Sequence, residues 1–179
     1  GNMMSGPRLQ PFQQRLATNL DGIESMSLSS NSIASGYFTE LAIEHPDGTE
    51  ERYPELQFDT DTSFFSTMHI HLVEGLQPAD ALKKYGTSFY INERYARLKN
   101  VSSEDFGQKT LQDILPRVCV KYILTGMIEN YPTASLQKEI NPQRITVRDS
   151  GDTYLGQIGK YVLIRLQPEK RKATLERIE

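Results

Sequence analysis

The sequence predicts an α+β domain. Its expected core is a mostly antiparallel sheet of about six strands with two or three short helices between them, plus an N-terminal amphipathic helix and a charged C-terminal helix. Three observations lead there. Apolar and polar residues alternate with period two in several short stretches. Turn-forming clusters such as His45-Pro46-Asp47-Gly48 and Asp149-Ser150-Gly151-Asp152 join them. Helical spacing of apolar residues is confined to short runs.

The first helix is read from Leu9, Phe12, Leu16, Leu20 and Ile23, whose spacings of 3, 4, 4 and 3 draw an apolar stripe. Pro7 and Pro11 blur its start. Residues 25–36 hold six serines and read as a flexible linker, with a weak edge strand through Met26 and Leu28 as the alternative. Residues 1–36 are therefore expected to form a helix and tether ahead of a single α+β domain spanning 37–179, and a chain lacking residues 1–35 is expected to stay folded.

From Tyr37 the period becomes two. Residues 37–58 read as a hairpin around Pro46-Asp47-Gly48, with Pro54 forcing an edge or a bulge. Residues 65–74 read as a strand with Met68, Ile70 and Leu72 on one face and His69 and His71 on the other. Pro78 to Gly86 has the punctuation of a short helix: Pro at its start, Asp80 in the first turn, Lys83 and Lys84 near the end, and Gly86 after it. Residues 89–99 fit either a strand, from Phe89-Tyr90-Ile91, or a capped helix from Asn92 onward. Ser102 to Asp105 is a polar break, and Leu111, Ile114 and Leu115 make a short helical stripe that Pro116 ends. Residues 117–125 read as a buried strand, with Cys119 as a small buried hydrophobe; a helix is the rival reading. Residues 144–148 and 161–166 complete the strands, Gly151, Gly156 and Gly159 relieve strain in the hairpin between them, and a charged helical tail starts at about residue 169.

Composition narrows the function. The chain of 179 residues carries a net charge of −3, which argues against a dedicated nucleic-acid binder. Its single Cys excludes an internal disulfide framework or a Cys-rich zinc site. No apolar run approaches the ~20 residues of a membrane-spanning helix. Gly1-Asn2 ahead of Met3-Met4 reads as a scar of tag removal, with the natural start at Met3, Met4 or further upstream. The chain is then expected in the cytoplasm, or in the periplasm if a leader once preceded it.

Two groups of residues could carry chemistry. His69 and His71, one residue apart on a strand, could grip a transition metal such as zinc, with Glu74, Asp59, Asp61 or His45 as a third ligand. The bland alternative is that they are polar residues on the wet face of a strand. Asp59 and Asp61 fail the spacing of a calcium loop, since Ser63 and Phe64 stand where further ligands are needed. Arg94, Arg97 and Lys99, interleaved with Tyr90 and Tyr95, could touch single-stranded nucleic acid, as could Lys170-Arg171-Lys172. No Gly-x-Ser-x-Gly elbow and no phosphate-binding glycine loop occurs. The favoured expectation is a non-catalytic binding or assembly module without a cofactor. It would dock on a protein partner or a second copy through Leu9, Phe12, Leu16 and Leu20. The alternative is a metal-dependent enzyme centred on His69, His71 and Glu74.

Overall fold

The structure, a computed structural model, describes residues 9–32, 37–132 and 140–178. The chain is α+β, built on one mixed sheet of eight strands. In order they are β1 (Ile23–Ser29), β2 (Tyr37–Glu44), β3 (Glu50–Asp61), β4 (Leu72–Gly75), β5 (Ser88–Asn92), β6 (Ile123–Ile128), β7 (Gln143–Arg148) and β8 (Tyr161–Leu166). The helices are α1 (Leu9–Asn19), α2 (Phe64–Met68), α3 (Pro78–Tyr85), α4 (Glu93–Lys99), α5 (Leu111–Ile114), α6 (Thr153–Ile158) and α7 (Arg171–Ile178). The spatial order is β4-β6-β5-β7-β3-β1-β8, with β2 on the N-terminal half of β3.

The hairpin is present as read. β2 and β3 pair antiparallel from Tyr37↔Gln57 to Glu44↔Glu50, closed by a turn in which Gly48 takes φ +83°. Pro54 lies before β7 joins β3 at Leu56, so its missing N–H removes no bond from that ladder. Two pairings are parallel, β3 with β7 and β5 with β6. They make the sheet mixed, though the other pairings are antiparallel as expected, and its eight strands exceed the six or so expected.

The two faces of the sheet are chemically different. One face packs Leu56, Phe58, Tyr90, Ile145 and Val147 against Phe64 and Phe65 of α2 and Ala81 of α3. Tyr90 is fully buried; its hydroxyl donates to the Leu76 carbonyl at 2.8 Å, and burial pushes its pKa up to about 12. The other face packs Leu41, Phe89, Ile91 and Leu124 under Tyr95 of α4 and Leu111 and Ile114 of α5. Beside that apolar patch runs a polar row, Glu55, Gln57 and Asp59 of β3 next to Arg144, Thr146 and Arg148 of β7. Each arginine reaches diagonally back to an acid: Arg144 Nε donates to Glu55 and Arg148 Nε to Asp59, both at 2.8 Å. The Arg148 guanidinium also lies between the rings of Tyr122 and Tyr154, at 5.0 and 4.4 Å.

Several sequence readings need correction. The Ser-rich stretch read as a linker is strand β1 over Ile23–Ser29, paired along its length with β8 and at Ser29 with Thr60 of β3. Its alternation of Ser25, Ser27 and Ser29 with Met26 and Leu28 is a strand pattern in which the small partner happens to be polar. Residues 33–36 of that reading lie outside the described residues. The stretch 65–74 is not one strand. Phe64–Met68 is a helical turn that buries Phe64, Phe65 and Thr67, and the chain breaks at His69 with φ +53°. There His69 N–H reaches the Ser66 carbonyl and Ile70 N–H the Phe65 carbonyl, the bond pattern of a left-handed helix C-cap. Residues 89–99 satisfy both rival readings in turn: the strand ends at Asn92, whose side chain accepts from Tyr95 N–H and starts α4. The strand expected at 117–125 begins only at Ile123 and runs on to Ile128, and Cys119 is exposed rather than buried. Gly156 lies inside α6, not in a hairpin. In α7, Thr174 is buried and its hydroxyl donates to the Asp21 carbonyl at 3.0 Å, so the charged tail packs on the turn after α1.

Candidate functional site

Cavities are best sought where apolar walls meet a few converging polar groups. One cleft of about 610 Å³ follows the free edge of β2. Its walls come from three elements. β2 gives Ala42 and Ile43, the C-terminal end of α4 gives Leu98 and Lys99, and the segment after α5 gives Leu115 and Val118. Each wall is held by its own local chemistry. Asn92 caps α4 at its start, and Asn100 ends it with φ +50°. Thr110 and Asp113 cap α5 reciprocally, the Asp113 carboxylate accepting from the Thr110 N–H at 2.7 Å. Pro116 then turns the chain away.

The floor of the cleft is polar. Glu55 is 1% exposed, and its carboxylate accepts from Arg144 Nε at 2.8 Å, Thr39 Oγ1 at 3.1 Å and Gln57 Nε2 at 3.1 Å. Gln57 Nε2 also donates to Thr39 Oγ1 at 2.6 Å. These bonds offset the desolvation of a buried carboxylate. Arg144 lines the cleft, yet among the described residues only its Nε has a partner. Lys99 Nζ donates to the Ala42 carbonyl at 2.7 Å, and partial burial lowers its pKa against the raising influence of Glu44 and Glu55. Tyr95 stands under the floor; its hydroxyl is buried and has no partner among the described residues, and burial raises its pKa.

A second groove, about 740 Å³, lies along β8 between α2 and α7, with Met68, Leu163, Ile164, Arg165, Arg171 and Leu175 among its walls. Arg165 Nε there donates to the Thr67 carbonyl at 2.7 Å.

The residues singled out from sequence are placed as follows. Leu16 is buried on α1, which rests on β1 and β8; Phe12 and Leu20 are half-buried. Leu9 starts α1. His69 and His71 are exposed and do not share a strand face, since a helix end separates them from β4. His71 N–H instead meets Glu129 Oε1 at 3.2 Å, and Glu74 lies exposed in β4 opposite Met127. Asp59 pairs with Arg148. Asp61 accepts from Ser27 Oγ, Leu28 N–H and Ser63 N–H, and burial pushes its pKa up against those bonds. His45 pairs with Glu51 at 3.4 Å across the hairpin. Among the described residues no three His, Cys, Asp or Glu side chains come together to hold a metal. Tyr90 and Tyr95 are fully buried, so they offer no stacking platform beside Arg94 and Arg97.

The sequence reading missed the cleft floor. Glu55 and Arg144 are 89 residues apart in sequence, and only the parallel pairing of β3 with β7 joins them. The one signal was a charged residue at an inward strand position in each.

Among the described residues no helix is long and apolar enough to cross a membrane. No protein-family model matches the sequence, and no curated protein matches it. Two solved structures share the fold. A domain assigned to a permease protein of Porphyromonas gingivalis overlays with a TM-score of 0.52 at 14% identity, over 98% of this chain and 77% of that one. The extracellular domain of the noncanonic ABC-type transporter YknZ from Gram-positive bacteria overlays with a TM-score of 0.50 at 9% identity, over 90% of this chain and 76% of that one. At these identities the likeness establishes the fold alone.

Proposed function

We propose that the chain works outside the cytoplasm as a non-catalytic binding and assembly domain, acting through protein contacts alongside a membrane transporter. The observation that carries this reading is the overlay of 90% of this chain on the extracellular domain of YknZ, a transporter component. The permease domain, which overlays on 98% of the chain, supports it. In this reading Leu16 holds α1 to the sheet. Phe12 and Leu20 keep part of their apolar surface available to a partner protein or a second copy.

The location is tested by protease accessibility. In the source organism, trypsin added to protoplasts or spheroplasts is expected to digest the native full-length protein. Protection until the cytoplasmic membrane is lysed would overturn the proposal. The contact role is tested by Phe12→Asp, which is expected to release the partner, or the second copy, while the thermal midpoint of the isolated domain is unchanged.

A further inference from the structure

The cleft beside β2 has a chemical asymmetry that points to a ligand. Its deep end presents donors whose partners are incomplete. Arg144 gives only its Nε to Glu55, and among the described residues no acceptor meets its two Nη groups. A guanidinium fork with both outer arms uncommitted is shaped for a planar carboxylate. The acceptors of the floor, by contrast, are occupied: Glu55 already receives three donors.

The charges are unevenly placed. Around the floor stand two cations, Arg144 and Lys99, and one anion, Glu55. The acids at the mouth are engaged elsewhere. Glu40 pairs with Arg52 at 2.7 Å, Glu44 with Arg117 at 4.0 Å, and Asp113 caps α5. The lining as a whole carries three cations and four acids, so the preference for an anion rests on Arg144 and Lys99 at the floor and not on the net charge of the cleft. The walls above the floor, Ile43, Leu98, Leu115 and Val118, are apolar. The volume of about 610 Å³ is ample for a small organic molecule.

The geometry points to a binding site for a small amphipathic monocarboxylate in this cleft. Its carboxylate accepts from the Arg144 Nη groups with Lys99 beside it, and its aliphatic tail lies along the apolar walls. This inference does not depend on where the domain resides, and its test on purified protein leaves the localisation reading untouched.

The test is a ¹H–¹⁵N correlation titration of the full chain with octanoate, and in parallel with octanol, which has the same tail without the charge. Saturable shifts are expected at the amides of Ala42, Leu98 and Val118 with octanoate, and at least tenfold weaker binding with octanol. Val118→Trp, which fills the cleft, is expected to abolish the shifts. Lys99→Gln leaves the buried ion pair intact and is expected to weaken octanoate several-fold while leaving octanol unchanged. Glu55→Gln combined with Arg144→Met removes both buried charges and is expected to narrow the preference for octanoate to the several-fold that Lys99 supplies. The assignment is overturned if octanol binds the native protein as well as octanoate does. Shifts that map to other residues, or that fail to saturate, overturn it equally.

Discussion

Replacing Arg144 with Met tests whether the polar row on the second face of the sheet is a true buried ion pair. Glu55 is 1% exposed and Arg144 shows only 11% of its side chain. Without the guanidinium, the Glu55 carboxylate keeps two neutral donors, Thr39 Oγ1 and Gln57 Nε2, and no hydrogen-bonded countercharge. Breaking a buried pair from one side costs about 3–5 kcal/mol, because the remaining charge is desolvated and uncompensated. For a domain of this size that corresponds to a fall in thermal midpoint of roughly 6–20 °C. The companion Glu55→Gln/Arg144→Met variant removes both charges and is expected to recover to within about 1–2 kcal/mol of the native protein. Urea denaturation followed by circular dichroism measures all three proteins. A loss under about 1 kcal/mol in the single variant, the range of an exposed pair, would refute the argument that this floor is desolvated.

Three further outcomes are expected. A chain lacking residues 1–35 loses β1, six residues of which pair with β8, and with Leu28 gone leaves its core partner Leu155 uncovered; it should give no cooperative urea transition, and a native-like transition would restore the linker reading. Gly22→Ala should destabilise by about 2–4 kcal/mol, because Gly22 has φ +107° and a Cβ there would press on Thr174 Oγ1 and the Lys170 side chain; an unchanged thermal midpoint would show that α7 is not seated on this turn. Asp61 has its pKa raised by burial, so the folded state binds a proton more readily than the unfolded chain, and this group's contribution to stability falls as pH rises through the shifted value. The stability of the native protein relative to Asp61→Asn should therefore rise as pH falls from about 7 to about 4, and a fall over that range would contradict the assigned cause.

What the sequence revealed and what it hid follow from the range of the interactions. The β2–β3 hairpin and α3 were readable because their determinants are local: Pro46-Asp47-Gly48 makes the turn, and Pro78, Asp80 and Gly86 bracket the helix. The split at Asn92 could be resolved only by its two roles, since its side chain caps α4 and also accepts from Gln143 N–H of distant β7. The parallel pairings were invisible, because parallel neighbours need long crossovers and leave no turn signature. The stretch from Phe64 to Leu72 deceived because alternating apolar residues can also be buried in one helical turn followed by a left-handed residue, His69. With that turn in place, the paired imidazoles lost the strand that would have aligned them. The cleft floor was hidden for the same reason as the parallel strands: Glu55 and Arg144 meet only through β3 and β7.

The measurement that tests the central claim most directly is site-specific photo-crosslinking in living cells of the source organism. A benzophenone amino acid would replace, one at a time, exposed Val73, Tyr154 and Leu175, and half-buried Phe12. An extracytoplasmic assembly domain predicts crosslinked products, from at least one position, that contain a membrane transporter subunit identified by mass spectrometry. Products made only of cytoplasmic proteins, whichever position carries the probe, would contradict it.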